Sequence, residues 1–284
     1  MSIEAQYGQA LDRFVVRDWH GVVDRLRCMP ERATFTSTDG IEIVYWAWGE
    51  PGDSPPVLLH HGFVAHARAN WEAPGVVEEL VRAGRRVIAP DARGHGESGK
   101  PHDQSFYGEQ RMAGDLATLV DRLAVAEIDL VGYSMGAVVS LLFAVDDARV
   151  RRLAVGGVGS GIVECGGVDR RALSNESIIE ALSVDDPQRL ESEGARAFRT
   201  LADALGSDRE AMVAQASSIY RGEIALGRIA APTLVLAGDE DPLAIRPQVL
   251  AQALPDARLQ LLEGDHMRAL IDPRFASSIV SFLA

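Results

Sequence analysis

Residues 128–136 read Ile-Asp-Leu-Val-Gly-Tyr-Ser-Met-Gly, and the eight residues after them are almost all apolar. Ile128–Val131 suits a short buried strand, and Met135–Ala144 suits a buried helix. Only Gly132, Tyr133 and Ser134 are left to turn the chain from one into the other. Such a tight turn strains its central residue, and Gly132 and Gly136 remove side chains that would collide. The Ser134 hydroxyl is thereby lifted above a sheet edge, beside the positive end of a helix. A strand running straight into a helix is the unit of a parallel sheet covered on both faces.

Outward from this turn the same alternation recurs. Upstream, Ala33–Ser37 and Ile41–Trp48 read as strands joined by Thr38-Asp39-Gly40. Pro56–His61 and Arg86–Pro90 read as buried strands, and Pro74–Ala83 and Tyr107–Leu123 as helices. Downstream come a strand at Val150–Val155, then Pro232–Ala237, a helix Arg246–Ala253, a strand Ala257–Leu262 and a last helix Pro273–Leu283. Between them, residues 161–224 show helical spacing and no convincing strand, with 12 acidic and 7 basic residues. The expected fold class is therefore α/β, a mostly parallel, doubly wound sheet. Residues 33–160 and 225–284 form its core, and 161–224 a helical cap insertion beyond the carboxyl edge, where ligands bind in such sheets. Residues 1–32 form an N-terminal lead-in, expected to be helical from the spacing of Leu11, Phe14, Val15, Val22, Val23 and Leu26.

Composition excludes several functions. The 284 residues are 47% hydrophobic and 24% charged, as in an ordinary globular chain. Ile43–Trp48 is the longest apolar run, far short of the roughly 18 residues that span a membrane. The start, Met1–Phe14, lacks the basic and apolar regions of a signal peptide. Cys28 and Cys165 form no CxxC pattern, so a reducing cytoplasm is the expected location. A net charge of −13 argues against nucleic acid as a partner. Lys100 is the single lysine, so Schiff-base chemistry would have to use it.

Gly94-His95-Gly96-Glu97-Ser98-Gly99-Lys100 fits both GxGxxG and GxxxxGK. Either nucleotide reading requires a helix to open at the last glycine, and Pro101-His102-Asp103 does not begin one. Gly156–Gly161 reads as a flexible exit into the helical segment. His60, His61 and His66 form a weak metal candidate, because adjacent strand residues face opposite sides. No metal and no cofactor are expected.

A serine hydroxyl needs a base, and the base needs an orienting carboxylate. Asp239-Glu240-Asp241-Pro242 follows the strand at 232–237, and Gly264-Asp265-His266 follows the next. Both lie at carboxyl ends of expected parallel strands, on the same edge as Ser134. Between the two aspartates, Asp239 is nearer the strand, where it can brace the turn, while Asp241 can reach farther and is followed by the rigid Pro242.

These motifs, with His61-Gly62-Phe63 and Asp91–Ser98, resemble the α/β-hydrolase fold family from about residue 33 to 284. The resemblance implies Ser134 as nucleophile, His266 as base and Asp241 as acid, with the backbone N–H groups of Phe63 and Met135 as oxyanion hole. It makes Asp91–Ser98 architectural and does not account for residues 1–32. Dehalogenases and epoxide hydrolases of this fold carry Asp at the elbow, whereas Ser134 stands here. A serine hydrolase acting on a small-molecule carboxylic ester is the expectation. Carbon–carbon bond hydrolases, perhydrolases, cofactor-free haloperoxidases, hydroxynitrile lyases and non-enzymatic receptors of this fold remain open.

Overall fold

The computed structural model describes residues 29–171 and 174–284. The expected helical lead-in lies outside the described residues up to position 28, and Glu31 and Arg32 already belong to the first strand. Eight strands form one sheet: β1 Glu31–Thr36, β2 Glu42–Trp48, β3 Val57–His60, β4 Val87–Pro90, β5 Ile128–Tyr133, β6 Val150–Gly156, β7 Thr233–Gly238 and β8 Ala257–Leu262. Their spatial order is β1-β2-β4-β3-β5-β6-β7-β8. β2 pairs antiparallel with both β1 and β4, and every other pairing is parallel.

Helices cover both faces, which explains why the central strands are apolar on consecutive residues rather than alternate ones. α1 Val76–Arg82 lies on one face, and α2 Glu109–Leu123 and α3 Met135–Asp146 on the other. On the α2–α3 face Met112, Leu116, Leu119, Val139 and Leu141 pack under Leu58, Leu130 and Leu153. On the α1 face Val76, Val77 and Leu80 join Trp48, Trp71 and the buried side of the C-terminal helix, through Phe275 and Ile279. Each such side chain contributes about 1.5–3 kcal/mol by leaving water.

From β6 to β7 the described residues form helices and no strand: α4 Ser160–Cys165, α5 Asn175–Ser183, α6 Glu193–Ala204 and α7 Arg209–Ser217. Ser174, Ser192 and Asp208 cap the last three by accepting backbone N–H bonds. A separate small core, with Val64, Leu182, Ala202 and Met212, joins this segment to the loop after β3. The chain then returns through α8 Pro247–Ala253, α9 His266–Ile271 and α10 Pro273–Leu283. Among the described residues no helix is long and apolar enough to cross a membrane.

Candidate active site

Ser134 sits between β5 and α3 at φ 55° and ψ −117°, a backbone conformation that L residues seldom adopt. The neighbouring glycines are required by contact. A Cβ on Gly136 would lie 2.0 Å from the His60 carbonyl oxygen, and one on Gly132 2.2 Å from that of Gly136. The loop after β3 crosses directly above the serine, since a Cβ on Gly62 would be 3.4 Å from that of Ser134. The amides of Phe63, on this loop, and Met135, at the start of α3, have no acceptor among the described residues.

Asp241 and His266 come from the loops after β7 and β8. His266 Nδ1 lies 2.7 Å from Asp241 Oδ2, and Asp241 Oδ1 takes the amide of Leu243 at 2.8 Å. Asp265 begins α9 by accepting from the amides of Met267 and Arg268. The Tyr133 hydroxyl donates to the His266 carbonyl, and the two rings lie 5.1 Å apart. Burial alone would lower the pKa of His266, but the Asp241 carboxylate outweighs it, and the net shift is upward from 6.5. Asp239 accepts the Gly264 amide at 2.8 Å, so it ties the loop after β7 to the loop after β8.

Ser134 and His266 open onto one cavity of about 630 Å³. Its walls include Phe63, Val64, Ile178, Phe198, Leu201 and Leu270, with Phe63 and Phe198 stacked at 5.7 Å. Asn70, Glu109, Arg170 and Gln215 line it as well, and none of these is signalled by a motif. Burial raises the pKa of Glu109, whose Oε2 accepts the Tyr220 amide at 2.6 Å.

The histidines outside this site are used differently. His61 Nδ1 bonds the Gly62 carbonyl at 2.8 Å and Nε2 accepts the Ala92 amide at 2.9 Å. Contrary to the expectation of opposite faces, the His60 and His61 rings stack with centroids 5.6 Å apart. β3 ends at His60, so strand alternation no longer governs its neighbour. Among the described residues no three His, Cys, Asp or Glu side chains are grouped to hold a metal ion.

A model of the α/β hydrolase fold matches residues 55–158. A RutD protein of Variovorax paradoxus is 31% identical over 257 residues, covering 82% of this chain and 93% of that protein. The chain belongs to the α/β-hydrolase fold family. A non-heme haloperoxidase of Rhodococcus erythropolis is 29% identical over 266 residues, 81% of this chain and 90% of its own. A 2-hydroxy-6-oxo-2,4-heptadienoate hydrolase of Pseudomonas putida is 42% identical over 122 residues, 42% of this chain and 43% of its own. In three dimensions a hydrolase from Pseudomonas aeruginosa superposes with a TM-score of 0.72 at 24% identity, covering 89% of this chain and 98% of that one. The relatives indicate a hydrolase enzyme of this family.

Proposed function

We propose that the protein is a serine hydrolase that cleaves a carboxylic ester of a small molecule through an acyl-enzyme. The observation that carries this reading is the 2.7 Å contact between His266 and Asp241 on the cavity that also receives Ser134. With Nδ1 engaged by Asp241, His266 keeps Nε2 for the serine. Ser134 Oγ attacks the ester carbonyl carbon while its proton passes to His266. The amides of Phe63 and Met135 take the developing oxyanion. Collapse breaks the bond to the alcohol oxygen, which leaves with the proton from His266. Water, deprotonated by His266, then releases the acid and restores Ser134.

In this reading residues 33–160 and 225–284 are the catalytic core, and 161–224 is the cap that roofs the cavity and sets selectivity. Support for the roof comes from Ile178, Phe198 and Leu201, which line the cavity from that segment. A perhydrolase or haloperoxidase reaction on the same three residues is the second reading, favoured by the similarity to the Rhodococcus haloperoxidase along most of both chains.

The test is labelling with a fluorophosphonate followed by peptide mapping, with turnover of p-nitrophenyl esters of graded chain length. An adduct on Ser134 and ester turnover are expected. A folded sample that labels elsewhere, or not at all, overturns the nucleophile assignment. Peroxide-dependent halogenation that outpaces ester turnover moves the assignment to the second reading.

A further inference from the structure

The charges lining the cavity are unevenly satisfied. Four carboxylates line it: Glu109, Asp169, Glu240 and Asp265. Glu109 accepts the Tyr220 amide, Asp169 pairs with Arg171, Asp265 caps α9, and Glu240 is exposed to solvent. Arg170 is the single Lys or Arg side chain on the cavity wall among the described residues. Among the described residues no carboxylate lies within ion-pair distance of it, and the one hydrogen bond it makes is a 3.5 Å contact with the Cys165 carbonyl. Its neighbour Arg171, by contrast, is held by both Asp169 and Glu164. Its charge is felt at Glu109 and Glu176, yet this half-buried guanidinium on the cavity wall keeps donors that no carboxylate fills.

We propose that the substrate carries a free carboxylate, separate from the bond that is broken, and that Arg170 binds it. The inference rests on the reading of Ser134 as nucleophile. A carboxylate matches the planar fork of a guanidinium with two parallel hydrogen bonds. Phosphate monoesters fit less well, because Arg170 is the single Lys or Arg on the described wall and a second negative charge would find no cation there. The cavity of about 630 Å³ holds a small diacid or keto-acid ester with its carboxylate on Arg170. The remaining walls, Phe63, Ile178, Phe198 and Leu201 among them, enclose the carbon chain between the two ends.

Two experiments test this. The first compares hydrolysis of the mono-p-nitrophenyl ester of a straight-chain diacid with its methyl-capped, uncharged analogue. The wild-type protein is expected to favour the charged ester by roughly 10- to 100-fold in kcat/KM, the range of one charge-assisted hydrogen-bonded contact. Arg170→Gln is expected to abolish that preference through KM while leaving the uncharged ester within about three-fold. Equal use of both esters by the wild type, or an equal loss on both in Arg170→Gln, overturns the proposal.

The second measures binding of the monomethyl ester of the same diacid to Ser134→Ala by calorimetry, which needs no turnover. Binding that disappears in Ser134→Ala, Arg170→Gln supports the proposal. Absence of binding in Ser134→Ala, or binding unaffected by the second substitution, overturns it. Should ester turnover and serine labelling both fail while Arg170-dependent binding persists, the nucleophile reading falls and the carboxylate site stands.

Discussion

Two glycine-rich turns leave the carboxyl ends of strands on either side of β3, and they do opposite things with their glycines. After β4, residues 91–98 fold inward around Asp91. Its oxygens accept the amides of Ala67 and Glu97 and the Trp46 indole N–H, while Ser98 bonds its carbonyl. A Cβ on Gly96 would lie 2.2 Å from that carboxylate, so the glycine exists to let the chain wrap it. After β5, Gly132 and Gly136 instead let the backbone hold Ser134 in a strained conformation facing a cavity. One turn hides its polar groups and the other presents one. Glycine spacing alone does not separate them, and the first even imitates a phosphate loop. The residues on the C-terminal side of each turn do separate them: a helix begins at Met135, whereas Pro101 continues an irregular chain.

The sharpest way to break this comparison is to remove the polar group of each turn. Ser134→Ala is expected to lower ester turnover by about 10⁴-fold or more, with unfolding free energy within about 1 kcal/mol of the wild type. Asp91→Ala strands three donors, two of them buried, and is expected to cost about 3–5 kcal/mol in denaturant unfolding. If Asp91→Ala were as stable as wild type, the inward turn would not be architectural.

The two aspartates after β7 repeat the contrast at shorter range. Asp241→Asn keeps the shape but removes the charge that supports the imidazolium, and a loss of roughly 10²–10⁴ in turnover is expected. Asp239→Asn can still accept the Gly264 amide through its carbonyl oxygen and is expected to change mainly stability. Turnover on a simple ester, with a melting curve of each variant, checks both. A crippled Asp239→Asn beside an active Asp241→Asn would reverse the assignment.

Acid separates His266, the proposed base, from the histidines buried elsewhere. Desolvation holds His60 down to about 3, His61 to about 4, and His95 well below 6.5. The unfolded chain therefore binds more protons, so their stabilisation is complete above about pH 6.5 and is lost as pH falls toward the folded values. The slope is up to about 1.4 kcal/mol per pH unit for each ring. His266 is raised, so its own contribution runs the other way: it is full below about 6.5 and lost as pH rises through its folded value. Four lowered rings, His66 included, against the two raised ones, His266 and the exposed His102, should lower the melting temperature from pH 7 to pH 5. With His266 as the proposed base, turnover should fall with acid through one ionisation above 6.5, before the melting temperature moves appreciably. Coincident profiles would mean that activity merely reports unfolding.

The core was legible because its strands and long helices carry their own periodicity, and Ser134, Asp241 and His266 each stand at a strand end with a recognisable turn. Shorter elements were not. The π-helical turn Arg68–Glu72, α4 and α9 span too few residues to show a helical period, and α9 is held by its Asp265 cap and by packing. The cavity wall was hidden for a different reason. Glu109, Arg170, Phe198 and Gln215 are far apart in sequence, and each reads locally as an ordinary helix or loop residue until α5, α6 and α7 fold over the strand ends.

That wall supplies the smallest of the expected effects. Phe198 lies on α6, stacks on Phe63 at 5.7 Å and lines the cavity with Ile178 and Leu201, all packed on the small core that holds Leu182 and Met212. Phe198→Ala removes the aromatic face without touching Ser134, Asp241 or His266, so fluorophosphonate labelling should keep its rate. The vacated volume adjoins the substrate space, so longer or branched acyl chains should gain relative to short ones. A pocket contact of one methylene is worth about 1–3 kcal/mol, which corresponds to a change in acyl preference of roughly 5- to 150-fold. The ratio of kcat/KM for hexanoate and acetate esters reads that change directly, free of differences in active protein. An unchanged ratio would place the acyl chain elsewhere and leave Phe198 as packing between the loop after β3 and the helical segment.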